Sequence, residues 1–219
     1  MELLGEYDTS RDESLSAFLE KHEGAISVGL NTGSAEKAAA FLKSRGVDFS
    51  TGDGTIKFEG SPDPPPVFWH WVEIREGSFL SDSIFLIEYT QARTDYRKTH
   101  PENYVYKPHQ NASRNISSVW MAARDVEETS RRLERIGLPR KRKVDFPEIG
   151  GRGVEFEAGR GSIVVLSPKE TKGKILRFIA QRGEGVIGAS VEVADLASCR
   201  QILEKSGLWP AAYEGNLRG

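Results

Sequence analysis

A handful of side chains stand where chemistry could be done. Glu88 lies in Ile84–Thr90 (IFLIEYT), and alternation puts it on one face with Ile84 and Leu86. A carboxylate on such a face is costly to bury unless it is paired or binds a cation. Glu88 therefore reaches solvent at the strand end, meets an arginine, or holds a cation. His70 lies in Val67–Arg75 (VFWHWVEIR), sharing one face with Phe68 and Val72, while Trp69, Trp71 and Glu73 share the other. Its imidazole suits a general base or a ligand, and equally a hydrogen-bonded core histidine. Trp69 and Trp71 read as core or as the wall of a substrate pocket. His100 and His109 flank a connector holding Tyr104 and Tyr106. That connector is either a pocket-covering segment or a linker pinned by aromatic packing.

The elements that must position these residues follow from a segment stated three times. Residues 26–47, 117–138 and 187–208 align without a gap. Ser27, Ser118 and Gly188 match, then Ser34, Asp125 and Asp195, then Leu42, Leu133 and Leu203, then Gly46, Gly137 and Gly207. Each copy opens with strand-like alternation, for example Val28 and Leu30, or Val119 and Met121. Ser34, Asp125 and Asp195 are typed to accept a first-turn N–H as helix N-caps. About three helical turns follow, and a glycine that can take positive φ stops them. Self-similarity of this length is one supersecondary unit used repeatedly. After the first copy, strands are predicted at 55–59, 67–75 and 84–90. After the second they are predicted at 142–146, 153–158 and 162–166. The fold class is α+β, built of repeated βαβββ modules whose pairs form curved sheets with helices outside.

The repeat is nested. Residues 1–27 resemble Ile163–Gly188, and Glu23-Gly24 matches Glu184-Gly185 at an offset of 161 residues. The expected organisation is therefore the end of one module, a linker helix and a complete module over 1–92, then a connector over 93–115. A further module over 116–172 and a linker helix with the start of another over 173–219 complete it. The chain then reads as part of a longer four-module protein whose ends leave strand edges unpaired.

Composition narrows the rest. Net charge is −2, which argues against nucleic acid as a partner. The basic run Arg140–Lys143 reads as a solvated turn. The single cysteine, Cys199, excludes an intrachain disulfide and fits helix packing. No apolar run reaches membrane-spanning length and no signal peptide is visible, so no membrane partner is expected and a cytoplasmic location is. No glycine-rich phosphate loop follows a strand, no cysteine pair could hold zinc, and no Ser/His/Asp order stands out.

Repeated βαβββ modules with this strand–cap–helix–Gly spacing resemble the vicinal-oxygen-chelate superfamily, which includes glyoxalase I, extradiol dioxygenases, methylmalonyl-CoA epimerase and bleomycin-resistance proteins. The resemblance is nearest to its glyoxalase-like domain family. It is carried by MELLG at the start, by IFLIEYT, and by HPENYVYKPHQNAS at 100–113. It implies a cup formed by paired modules, with a divalent metal (Fe, Mn, Ni or Zn) held by first-strand histidines and last-strand glutamates. Here the first-strand positions are Ser27, Ser118 and Gly188, and the last-strand positions are Glu2, Glu88 and Val164. The resemblance thus makes Glu2 and Glu88 metal ligands of the first module pair, and the second pair a structural partner without ligands. The implied activity is a metal-dependent lyase, isomerase or dioxygenase acting on a small-molecule substrate, with Glu88 and His70 catalytic and Trp69, Trp71 and His109 lining the pocket. The alternative is a metal-free binding protein of the bleomycin-resistance kind, since neutral serines suit such metals poorly. A homodimer that exchanges modules would complete the missing ends.

Overall fold

The structure is a computed structural model, which describes residues 16, 19–20, 24–57, 62–75, 84–101 and 109–207. Glu2 and the expected strand at 1–5 lie outside these residues.

The first module consists of β1 (Val28–Asn31), α1 (Ala35–Ser44), β2 (Phe49–Thr55), β3 (Val67–Ile74) and β4 (Ile84–Tyr89). Its sheet has the order β1-β4-β3-β2. β1 and β4 run parallel, and the other neighbours run antiparallel. After α2 (Gln91–Thr99), the second module supplies β5 (Ser113–Ala122), α3 (Val126–Arg135), β6 (Arg140–Phe146), β7 (Gly151–Ala158) and β8 (Gly161–Pro168). Then come α4 (Lys174–Arg182), β9 (Gly185–Val193) and α5 (Leu196–Lys205). The second sheet repeats the first, with β5 and β8 parallel, and adds β9 antiparallel to β5, giving β6-β7-β8-β5-β9. This is the repeated βαβββ architecture.

The predicted caps are made. Ser34 accepts from the Lys37 amide at 3.2 Å, Asp125 from Glu128 at 3.0 Å, and Asp195 from Ala197 at 2.9 Å. The stops at Gly46, Gly137 and Gly207 adopt φ of 65°, 95° and 68°, where a side chain would be strained.

Two local expectations are corrected. The second strand of the first module is Phe49–Thr55 rather than 55–59. Gly52 and Gly54 disguise it, because glycine weakens strand propensity. The connector expected over 93–115 begins within a helix, and its residues 102–108 lie outside the described ones. That helix is α2, whose sequence QARTDYRKT carries almost no apolar stripe, and Thr90 caps it through Arg93 N–H. The basic run Arg140–Lys143 is not a turn but the start of edge strand β6, and three of its four cations are paired. Arg140 meets Glu127 and Glu134, while Lys141 and Arg142 both meet Glu155.

One apolar core runs through both modules. It holds Leu42, Val72, Ile74 and Ile84 from the first together with Met121, Leu133, Phe156 and Ile163 from the second. A second cluster lies on the other face of the second sheet, where Ile175 and Ile179 of α4 cover Ala122, Phe146, Val164 and Leu166. Cys199 is buried on α5 as expected.

Candidate functional site

β3 divides the candidate residues between two faces. Phe68, Val72 and Ile74 are buried on the face toward α1 and α2, and His70 shares it. Trp69, Trp71 and Glu73 point the other way. The register carries this parity to the neighbours. His70 pairs with Glu88 and Asp53, so these three ionisable residues form one row across β4, β3 and β2 on the helix side.

All three already have a partner. Glu88 Oε2 accepts the Ala35 N–H at 2.7 Å, placing a negative charge at the start of α1. The first amides of a helix have no intrahelical acceptor, and the helix dipole favours an anion there. His70 Nδ1 lies 2.7 Å from Asp53 Oδ1. An ionised carboxylate only accepts, so Nδ1 carries the proton, and in the neutral ring Nε2 presents a lone pair. The His70 side chain is 40% exposed, within reach of a dissolved molecule. Asp53 was not foreseen. It lies 17 residues upstream in a strand that glycine conceals, and only the antiparallel pairing of β2 with β3 brings it to His70.

The last-strand alignment of Glu88 with Val164 is also corrected. Thr32 N–H donates to Ile87 O at 2.9 Å, and Ala123 N–H donates to Leu166 O at 2.8 Å, so Ile87 and Leu166 hold the same place. Val164 therefore corresponds to Phe85, and Glu88 is three residues further on. Three is an odd offset, which turns a strand side chain to the opposite face. Glu88 thus sits back to back with the tryptophans, not beside them.

The opposite face of the first sheet is aromatic and laid flat. Trp69 pairs with Gly54, Trp71 with Gly52, and Phe85 with Gly29. A Cβ added at Gly54 would fall 1.8 Å from Trp69 Cε2, at Gly52 2.3 Å from Trp71 Cζ2, and at Gly29 2.7 Å from Phe85 Cζ. Each ring occupies the space its partner lacks. Ile87 and Tyr89 continue the face, and the Arg93 guanidinium stands 3.7 Å from the Tyr89 ring centroid. His109 is exposed beside a turn closed by Ala112 N–H onto its own carbonyl, and no described contact joins it to Trp69 or Trp71. His100 stacks on Tyr96 at 4.2 Å.

The second sheet distributes bulk the other way. Glycines stand on β7, at Gly151 and Gly153, opposite Phe146 and Val144 of β6. There α4 closes the face, and a Cβ at Gly151 would meet Ile175 at 2.9 Å. Ser118 is buried, and the Trp120 indole N–H is shared between Ser118 Oγ and Ser190 Oγ, each at 2.9 Å. Glu155, with a side chain 4% exposed, accepts from Lys141 and Arg142. Burial alone would push its pKa up, but Arg142, Lys141 and Ser162 outweigh that and hold it below the usual carboxylate range.

Glu2, the other expected metal ligand, lies outside the described residues. Among the described residues no three His, Cys, Asp or Glu side chains are grouped to hold one. Glu88 serves a helix amide, and Ser118 accepts an indole N–H.

No family model matches the sequence, and no curated protein matches it. Several solved structures are similar. Methylmalonyl-CoA epimerase from Mycobacterium tuberculosis is 17% identical, with a TM-score of 0.45 over 51% of this chain and 78% of its own. A variant of the Streptomyces coelicolor epimerase, solved with 2-nitronate-propionyl-CoA, is 18% identical, with a TM-score of 0.42 over 48% of this chain and 82% of its own. A hypothetical protein from Staphylococcus aureus is 13% identical, with a TM-score of 0.45 over 68% of this chain and 54% of its own. Likeness at this level says nothing of activity, and the fold class rests on the strand order itself: α+β, of repeated βαβββ modules. No helix among the described residues is long and apolar enough to cross a membrane.

Proposed function

We propose that this is a glyoxalase-like protein that binds a small molecule with a flat apolar part against Trp69, Trp71 and Phe85, with no metal held by the described residues. The observation that carries the reading is the stacking of each ring on a glycine of the next strand. Rings held flat present a planar apolar wall at little entropic cost, as small-molecule sites commonly do. The test is titration of the full chain with 1-anilinonaphthalene-8-sulfonate, read by tryptophan quenching. Saturable binding, lost in Trp71→Ala and Trp69→Ala, is expected. Binding that ignores both substitutions would defeat the reading. A metal-dependent lyase, isomerase or dioxygenase remains the competing activity. It would be restored if Ni²⁺, Mn²⁺, Zn²⁺ or Fe²⁺ raised the melting temperature of wild type and not of Glu88→Ala.

A second reading rests on one distance, the 2.7 Å between His70 Nδ1 and Asp53 Oδ1. A histidine held in one tautomer with its other nitrogen accessible can take a proton from an acidic C–H, the elementary step of an isomerase. The full chain would be incubated in deuterated water with 2-oxo acids and acyl thioesters, and the α-proton followed by NMR. Exchange that disappears in His70→Asn supports this reading, and exchange of equal rate in both proteins rejects it.

A further inference from the structure

A cleft of about 830 Å³ opens between the two modules, on the helix side and away from the aromatic face. Leu30, Leu86 and Phe41 wall it from the first module, and Ile136 and Leu138 from the second. Leu30, Leu86, Ile136 and Leu138 belong to or pack on the shared core, so the cleft is an apolar recess reaching toward that core. Phe41 remains 38% exposed, which is unusual for a large ring at a module boundary. The cleft is framed rather than loose. Phe41 packs against Gly137, where an added Cβ would be 3.1 Å away, and Arg135 donates to the Gly46 carbonyl at 2.9 Å, tying the end of α1 to the second module.

One charged side chain lines this recess. Arg160, in the turn between β7 and β8, has no hydrogen-bond or ion-pair partner among the described residues. Its neighbour Gly159 has φ of 63° and nothing within 4 Å of an added Cβ, so the turn itself is uncrowded. Asn31 and Thr32 add polar groups to the lining.

We infer that this cleft binds a single-chain amphipathic carboxylate, its hydrocarbon part among Leu30, Leu86 and Ile136 and its anion on Arg160. The volume falls in the range of small-molecule sites, apolar walls with one placed polar group are their usual make-up, and a guanidinium matches a carboxylate in two-pronged geometry. The site shares no residue with the aromatic face, so either can fail without the other.

The test is calorimetric titration of the full chain with octanoate, and with 1-octanol as the uncharged control. Octanoate is expected to bind saturably and to shift the Gly137 and Gly159 amide resonances. Arg160→Gln should weaken octanoate about fivefold, the effect of one exposed charge pair, and leave 1-octanol unchanged. Ala38→Trp, which fills the recess from α1, should abolish both, whereas Trp71→Ala should alter neither. The inference is overturned by absence of saturable binding to wild type, by equal octanoate affinity in Arg160→Gln, or by shifts elsewhere than the cleft.

Discussion

The carboxylate of Glu88 and the amide of Ala35 lie 2.7 Å apart, joining the last strand of the first module to the start of its helix. The two residues are 53 positions apart in sequence, so the bond is made only when the sheet has closed. A strand carboxylate set among apolar residues is thus accounted for by a backbone donor.

Replacement of Glu88 follows directly. Glu88→Ala removes a charged acceptor from a helix start and should cost about 1–2 kcal/mol. Glu88→Gln keeps an acceptor and should cost less. Urea unfolding measures both. Equal stability of all three proteins would mean that the bond contributes nothing.

Gly54 is a position where one methyl group should be felt strongly. The Trp69 ring occupies the place of its absent Cβ, so Gly54→Ala must push the ring off its seat or bend β2. Overpacking of this kind costs about 1–3 kcal/mol. Tryptophan emission should shift in parallel with the loss of stability, and an unchanged spectrum would show that the ring is not seated there.

Glu155 predicts a pH dependence with a definite sign. Its pKa in the folded protein is held low, so its contribution is fully present above the unfolded value and is lost as pH falls through the folded one. Stability should decline on acidification in wild type, and the decline should be shallower in Glu155→Gln, which should itself be weaker near neutrality by about 1–3 kcal/mol. Parallel pH profiles would disprove the assignment.

His70 can be examined without knowing a substrate. In the neutral ring, nitrogen-15 shifts should report a protonated Nδ1 and a bare Nε2. Asp53→Asn should disturb that distribution, and an unchanged tautomer would show that Asp53 does not set it.

Much of the architecture is legible in the residues alone, for a physical reason. Caps and stops act over three or four residues, so Ser34, Asp125, Asp195 and their partner glycines announce each helix locally. The parity of Phe68, His70 and Val72 is equally local. What escapes is whatever depends on register between strands. The phase of Glu88 needed the bonds Thr32–Ile87 and Ala123–Leu166. Asp53 needed the pairing of β2 with β3, and β2 itself hides behind glycines whose purpose is visible only with the tryptophans in place.

The repeat that organises the chain is a unit of inheritance, but the core that crosses it makes it no unit of folding. Leu42 and Leu133 fill equivalent positions in two copies, and both lie fully buried in the same apolar body. A single copy cut out by its sequence boundaries would expose half of a surface that has no other cover. Any rearrangement that lengthens or shortens such a protein must therefore move copies together with their neighbours, and the natural cassette is the contact between copies, not the copy.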